Sequence, residues 1–143
     1  MTSDTQNPCI VIVDDEPYVP RVLDLKFRTL GWRTVIARNG TEGLAAVERE
    51  RPDVLITDIS MPGMSGYELC RASQRYRLER PFLIIVVTSR TERDLRGWME
   101  GIPDLAFFEK PVSPRAVLSA IENYLAARRA AAAHPASQDG AAR

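Results

Sequence analysis

Lysine is the residue this sequence nearly does without: Lys26 and Lys110 are the only two, and arginine supplies the other cations. A single lysine at the end of a predicted strand therefore stands out. Cysteine is equally scarce. Cys9 and Cys70 lie far apart, with neither a short metal-binding spacing nor a secreted disulfide framework. Histidine occurs once, as His134 in the tail. These shortages exclude zinc sites and nucleophilic catalysis of the Ser/His/Asp or Cys/His type. No apolar run approaches the roughly 18 residues needed to span a bilayer, and the polar N-terminus is no signal peptide, so a soluble cytoplasmic protein is expected. Net charge is missing too. The 19 cations balance the 19 acids, which argues neither for nucleic acid nor for a basic partner.

What is present suffices for one globular domain: 143 residues, 45% hydrophobic. Five short runs read as strands. Cys9–Val13 and Phe82–Val87 are apolar without alternation, as in strands covered on both faces. Arg33–Ala37, Asp53–Asp58 and Leu105–Glu109 complete the set. In the first helix Val19, Val22, Leu23, Lys26, Phe27 and Leu30 recur at helical spacing. Pro20, tolerable only within a first turn, sets its start near Tyr18, and Gly31 marks its end. Asn39-Gly40 is expected as a turn, with Thr41 capping a second helix that turns Leu44, Ala45 and Val47 inward. Gly43 weakens that helix by about 1 kcal/mol against Ala. A third helix runs from Gly66 to about Arg77 with Leu69, Ala72 and Ser73 inward, and a fourth from Glu92 to Glu100, interrupted by Gly97. Ser113 caps the fifth, Pro114 opens it, and Val117, Leu118, Ile121 and Leu125 form its buried stripe. Strands alternating with helices make a βαβ series, hence a parallel sheet with helices on both faces. The expected division is a flexible segment 1–8, one domain over 9–127, and a disordered Ala-rich tail over 128–143.

In open parallel sheets chemistry collects just outside the carboxyl ends of the strands. Four of the expected strands deliver reactive groups there: Asp14 and Asp15, Asp58, Thr88, and Lys110. An acid placed like Asp58 can serve as metal ligand, nucleophile or base. Singly, each group has an ordinary reading: Asp14-Asp15-Glu16 as a solvated capping turn, Asp58 as a helix-capping acid, Thr88 as a strand-end residue, Lys110 as a surface lysine. Their joint placement points to a phosphate-and-metal site.

The motifs are Val13-Asp14-Asp15-Glu16, Asp58-Ile59-Ser60-Met61-Pro62-Gly63-Met64-Ser65-Gly66, Val87-Thr88-Ser89 and Lys110-Pro111. In that order and at those intervals the chain resembles the receiver domain of two-component response regulators, in particular stand-alone chemotaxis-type (CheY-like) receivers, from about Cys9 to Leu125. The resemblance implies a flavodoxin-like (βα)5 fold, a doubly wound five-stranded parallel sheet with strand order 2-1-3-4-5, which sets strands one and three side by side. Asp14, Asp15 and Asp58 would then share one crevice. Carboxylates so placed repel unless a cation sits among them, and hard oxygen ligands suit Mg2+ or Mn2+. By resemblance, Asp15, Asp58 and the backbone carbonyl of Ser60 are direct metal ligands, and Asp14 acts through water. Asp58 is the phosphoacceptor, Lys110 and Thr88 stabilise the phosphoryl group, and Thr88 and Phe107 form a switching pair. Phe107 lacks the phenolic hydroxyl of the commoner Tyr, so burial alone biases its rotamer.

The implied function is that of a single-domain response regulator in a phosphorelay. It takes its phosphoryl group from a histidine kinase or histidine phosphotransfer protein and signals to a downstream protein through the face of the fourth helix, fifth strand and fifth helix. It is expected as a monomer or weak dimer without nucleic-acid or membrane partners, and not as an enzyme. A Mg2+-dependent phosphatase with Asp58 as nucleophile would want a second Asp where Ser60 stands. A receiver-shaped scaffold that never carries phosphate is the other alternative, and the intact acid set argues against it. Ser60 and Arg90 occupy the two positions that tune phosphoryl hydrolysis in the family. Neither can act as a base, so a long-lived phosphoryl group is expected. The segment Gly101–Ala106 is longer than its family counterpart, which is expected to displace or shorten the fourth helix. Arg71, Arg75, Arg77 and Arg80 read as a solvated helix face rather than a nucleic-acid patch, Trp98 as core in preference to part of a docking surface, and Cys70 as packing or surface.

Overall fold

The computed structural model describes residues 7–133. The expected flexible segment 1–8 lies outside it up to residue 6, and the tail beyond 133, with His134, lies outside it as well. The elements are β1 (Cys9–Val13), α1 (Tyr18–Arg28), β2 (Arg33–Ala37), α2 (Gly40–Glu50), β3 (Val54–Thr57), α3 (Gly66–Ala72), α4 (Gln74–Glu79), β4 (Leu83–Thr88), α5 (Glu92–Met99), β5 (Leu105–Glu109) and α6 (Pro114–Ala133). All strand pairs are parallel, in the order β2-β1-β3-β4-β5. This is the flavodoxin-like order expected.

Successive strand residues part to opposite faces. Val11, Val13, Leu55, Ile84 and Val86 pack with Ala46, Val47, Leu69 and Leu95 under α2, α3 and α5. Ile10, Ile12, Ile56, Ile85 and Val87 pack with Leu23, Phe27, Val117 and Ile121 under α1 and α6. Both faces are buried, which is why these strands read as continuous apolar runs.

Several local expectations change. Asn39-Gly40 is not a free turn: the Asn39 side chain accepts the Glu42 amide at 2.8 Å, and the Glu42 carboxylate accepts the Arg38 amide at 3.1 Å. Asn39 rather than Thr41 therefore caps α2, because its short amide reaches the orphan donor from one position outside the helix. Ala46 and Val47 face inward and Ala45 is exposed. Gly43 permits close packing, since a Cβ there would meet Val13 at 2.7 Å.

The expected third helix is two. The Ser73 hydroxyl donates to the Cys70 carbonyl at 3.0 Å, and such local bonding competes with the helical ladder. Cys70, not Ala72, joins Leu69 and Ser73 inside. Burial pushes the Cys70 thiol up to about 12, in keeping with a packing role. Arg77 is no solvated residue. It is buried and donates to the carbonyls of Phe82 at 3.0 and 2.8 Å, Pro103 at 2.6 Å and Asp104 at 3.2 Å, pinning the segment ahead of β5. Arg80 and Arg128 both reach Asp53, which also accepts the Cys9 amide. This clasp ties α6 to the opposite end of the sheet from the acids. Helix α6 continues past the expected boundary at 127 to Ala133. No helix among the described residues is long and apolar enough to cross a membrane.

Candidate functional site

Strand register builds the site. Val13 pairs with Thr57, and Thr57 with Val86, so Asp14 and Asp58 each follow the last paired residue of adjacent strands. The backbone locks them there: the Asp58 amide donates to the Val13 carbonyl at 3.1 Å and the Asp14 amide to the Ala37 carbonyl at 3.2 Å. On the far side the Lys110 amide donates to the Thr88 carbonyl at 2.9 Å. Lys110-Pro111 is a cis peptide.

The side chains converge. Asp14, Asp15 and Asp58 each offer a carboxylate oxygen within 4.8 Å of the others, with Asp15 exposed and the other two buried. The Lys110 ammonium lies 2.9 Å from Asp58 Oδ2 and 3.3 Å from Asp14 Oδ2. With all three ionised, three carboxylates against one ammonium leave an excess of two negative charges, a repulsion that an added cation relieves. The all-oxygen donor set fits a hard divalent cation such as Mg2+. Asp58 Oδ1 accepts the amides of Ile59 at 2.6 Å and Ser60 at 3.4 Å, so Oδ2 is the oxygen turned to Lys110.

Electrostatics agree with the geometry. Burial lifts the Asp14 carboxyl above its ordinary range, and the Glu16 amide and Lys110 pull it back only in part. Burial by itself would lower Lys110; its hydrogen bond to Asp58 and the charges of Asp14 and Asp58 outweigh that and raise it.

Thr88 is fully buried, and its hydroxyl accepts the Arg90 amide at 3.3 Å. Thr88 follows Val86 by two residues and so shares its face, and Val86 pairs with Phe107. Phe107 is half-buried against the α2, α3 and α5 side, whereas its neighbour Phe108 packs against the α1 and α6 side. Alternation thus places Phe107, not Phe108, on the Thr88 face. Ser60 is exposed beyond Asp58.

Reasoning from the sequence missed Gly66 as a site residue. A Cβ there would fall 1.8 Å from the Asp58 carbonyl oxygen, and the Gly66 amide donates to the Ile59 carbonyl at 2.8 Å. The start of α3 is therefore pressed directly onto the backbone of Asp58. The signal was the glycine closing the Asp58–Gly66 motif, read only as the start of the third helix.

The chain is similar to known proteins. The family model for the response regulator receiver domain matches residues 10–122. The alkaline phosphatase synthesis transcriptional regulatory protein PhoP of Bacillus subtilis is 30% identical over 132 residues, covering 92% of this chain and 53% of that protein. The DNA-binding response regulator MtrA of Mycolicibacterium smegmatis is 29% identical over 120 residues, covering 82% of this chain and 50% of that one. The chain thus spans about half the length of the curated relatives it matches. Among solved structures, a CheY-like receiver domain protein from Methanospirillum hungatei superposes with a TM-score of 0.72 at 29% identity, covering 86% of this chain and 97% of that one. The chemotaxis response regulator CheY4 of Vibrio cholerae, at 23% identity and a TM-score of 0.73 over 82% of this chain and 98% of that one, shares the fold. By its matched length, its strand order and the acids gathered at one rim, the chain belongs to the response regulator receiver domains of two-component systems.

Proposed function

We propose that Asp58 accepts a phosphoryl group in the cytoplasm from a histidine kinase or histidine phosphotransfer protein, and that the acyl phosphate changes which protein binds the α5–β5–α6 face. The observation that carries this is Lys110 Nζ, held 2.9 Å from Asp58 Oδ2 and 3.3 Å from Asp14 Oδ2 on a rim with surplus negative charge. Asp58 Oδ1 is engaged by backbone amides, so Oδ2 attacks phosphorus. The phosphorus–nitrogen bond to the donor imidazole breaks, and the imidazole takes up a proton. Lys110 then faces phosphoryl oxygens in place of the carboxylate, and the Thr88 hydroxyl donates to one of them. Asp15, Asp58 and the Ser60 carbonyl, with Asp14 acting through water, would hold the Mg2+ typical of the family, which when bound offsets charge on the phosphoryl oxygens. Thr88 and Phe107 share one face of the sheet, which supports their role as the switching pair.

Treatment with acetyl phosphate and Mg2+ followed by intact-mass measurement tests this. One added phosphoryl group is expected on the wild type and none on Asp58→Asn. No adduct on the wild type, or an adduct kept by the variant, overturns the reading. Ser60 and Arg90 are exposed and neither can act as a base for the attacking water, so the adduct outlasts many minutes after donor removal; decay within seconds refutes that part. Ser60 also stands where an aspartyl phosphatase needs its general acid. We therefore assign no turnover of separate substrates, and hydrolysis of p-nitrophenyl phosphate above the Asp58→Asn level would show otherwise.

The relatives favour a second reading of the output. PhoP is named a transcriptional regulator and MtrA a DNA-binding one, and each is about twice this chain's matched length. In that reading the phosphorylated face controls a DNA-binding partner or segment. Phosphorylation-dependent association with a DNA-binding protein would favour it.

A further inference from the structure

Between α3 and α5 the rings of Tyr67 and Trp98 form the common floor of two adjoining depressions. One, of about 470 Å3, extends along Arg71 to Ile102. The other, of about 360 Å3, runs back to Met61 and is bordered by Arg90. Together they match the size of a site for one or two side chains of a bound segment. The ring centroids are 4.9 Å apart at a 60° tilt, a favourable geometry for aromatic pairs. Arg71 lies over the Tyr67 ring at 5.6 Å and donates to its hydroxyl at 2.9 Å. Gly97 adds no side chain to cover the rings, and a Cβ there would meet nothing within 4 Å. Among the described residues no carboxylate lines either depression, although the chain as a whole balances its charges. Aromatic rings, a methionine and arginines without acids form the composition of a protein-interface centre, not of average surface.

We propose that this groove docks an acidic segment of a partner protein that carries an aromatic or aliphatic anchor. The anchor rests on the Tyr67–Trp98 pair, and flanking carboxylates meet Arg71 and Arg90, whose planar guanidiniums suit bidentate carboxylate pairing. A nucleic-acid strand fits less well. It needs a track of cations along its phosphates, whereas here two arginines flank an apolar floor in a chain of zero net charge. The surface is built on α3 as well as α5, so it differs from the read-out face proposed above and requires nothing of Asp58 chemistry.

Selection from a displayed library of random peptides about a dozen residues long, against the full chain and against its Arg71→Glu/Arg90→Glu variant, tests the proposal. Both arginines are exposed, and far-UV circular dichroism with a thermal melt checks that the variant is folded. The expected binders are rich in Asp and Glu around a Phe, Trp or Leu, weaken with salt, lose at least about tenfold in affinity for the variant, and shift Trp98 fluorescence in a Trp32→Phe background. No binders, binders without acidic enrichment, or equal affinity for the variant overturns it. So does tighter competition by a single-stranded oligonucleotide, or sedimentation showing that a second copy of the chain fills the groove.

Discussion

At the scale of single residues the site is a balance between Asp14 and Lys110. Asp14 is a carboxyl whose folded pKa lies above its ordinary value because it is buried. Such a group costs stability above the folded pKa, and the cost disappears as pH falls through it. Without divalent ions, Asp14→Asn should therefore raise the melting temperature at pH 7, with the gain shrinking as the pH is lowered through the raised carboxyl pKa. Lys110 has the opposite sign. Its folded pKa is raised, so its stabilisation is fully present below the unfolded value and is lost only as pH rises through the folded one. Lys110→Ala should cost about 1–2 kcal/mol at pH 7, less than a fully buried pair because the ammonium keeps some solvent contact. Chemical denaturation in chelator measures both. An Asp14→Asn protein less stable than wild type would contradict the burial argument.

At the scale of elements, two glycines in helices separate packing from propensity. Gly66 opens α3 against the Asp58 backbone, where a Cβ would lie 1.8 Å from the carbonyl oxygen. Gly66→Ala must push α3 or the acceptor strand away, at a cost of about 3 kcal/mol. Gly97 sits in α5 with nothing within 4 Å of an added Cβ, so Gly97→Ala should stabilise by up to about 1 kcal/mol through helix propensity. Urea midpoints that moved together would refute the contrast. Arg77 works at this scale too. Its guanidinium holds the start of β4 and the segment before β5 together.

Across the whole molecule, the parallel sheet concentrates acids at one end and closes the other. At the carboxyl ends of the strands Asp14, Asp15 and Asp58 face one ammonium. At the amino ends Asp53 gathers the Cys9 amide, Arg80 and Arg128. The first end carries surplus negative charge, whereas at the second two guanidiniums outnumber the one carboxylate, so only the first end calls for a cation. Mg2+ should therefore raise the melting temperature by mass action, by about 2.7 kcal/mol of stability at a hundredfold excess over its Kd, and Asp15→Asn should lose most of the effect. An equal shift in wild type and variant would place the ion elsewhere.

The sequence alone determined the alternation of strands and helices, the strand-end acids and the lone lysine, because burial on both faces and strand-end chemistry leave local marks. Arg33–Ala37 and Leu105–Glu109 were legible to the residue, and so was the start of α1 at Tyr18. The tertiary structure alone decided what depends on partners distant in the chain. Arg77 looked like one more surface arginine until carbonyls at Phe82, Pro103 and Asp104 closed around it. Gly66 read only as the start of a helix until α3 met the Asp58 backbone, and the side of the sheet on which Phe107 and Phe108 each pack appeared only in the fold. The physical reason is common to all three: local sequence carries backbone preference and hydrophobic period, whereas contact and desolvation belong to the assembled fold.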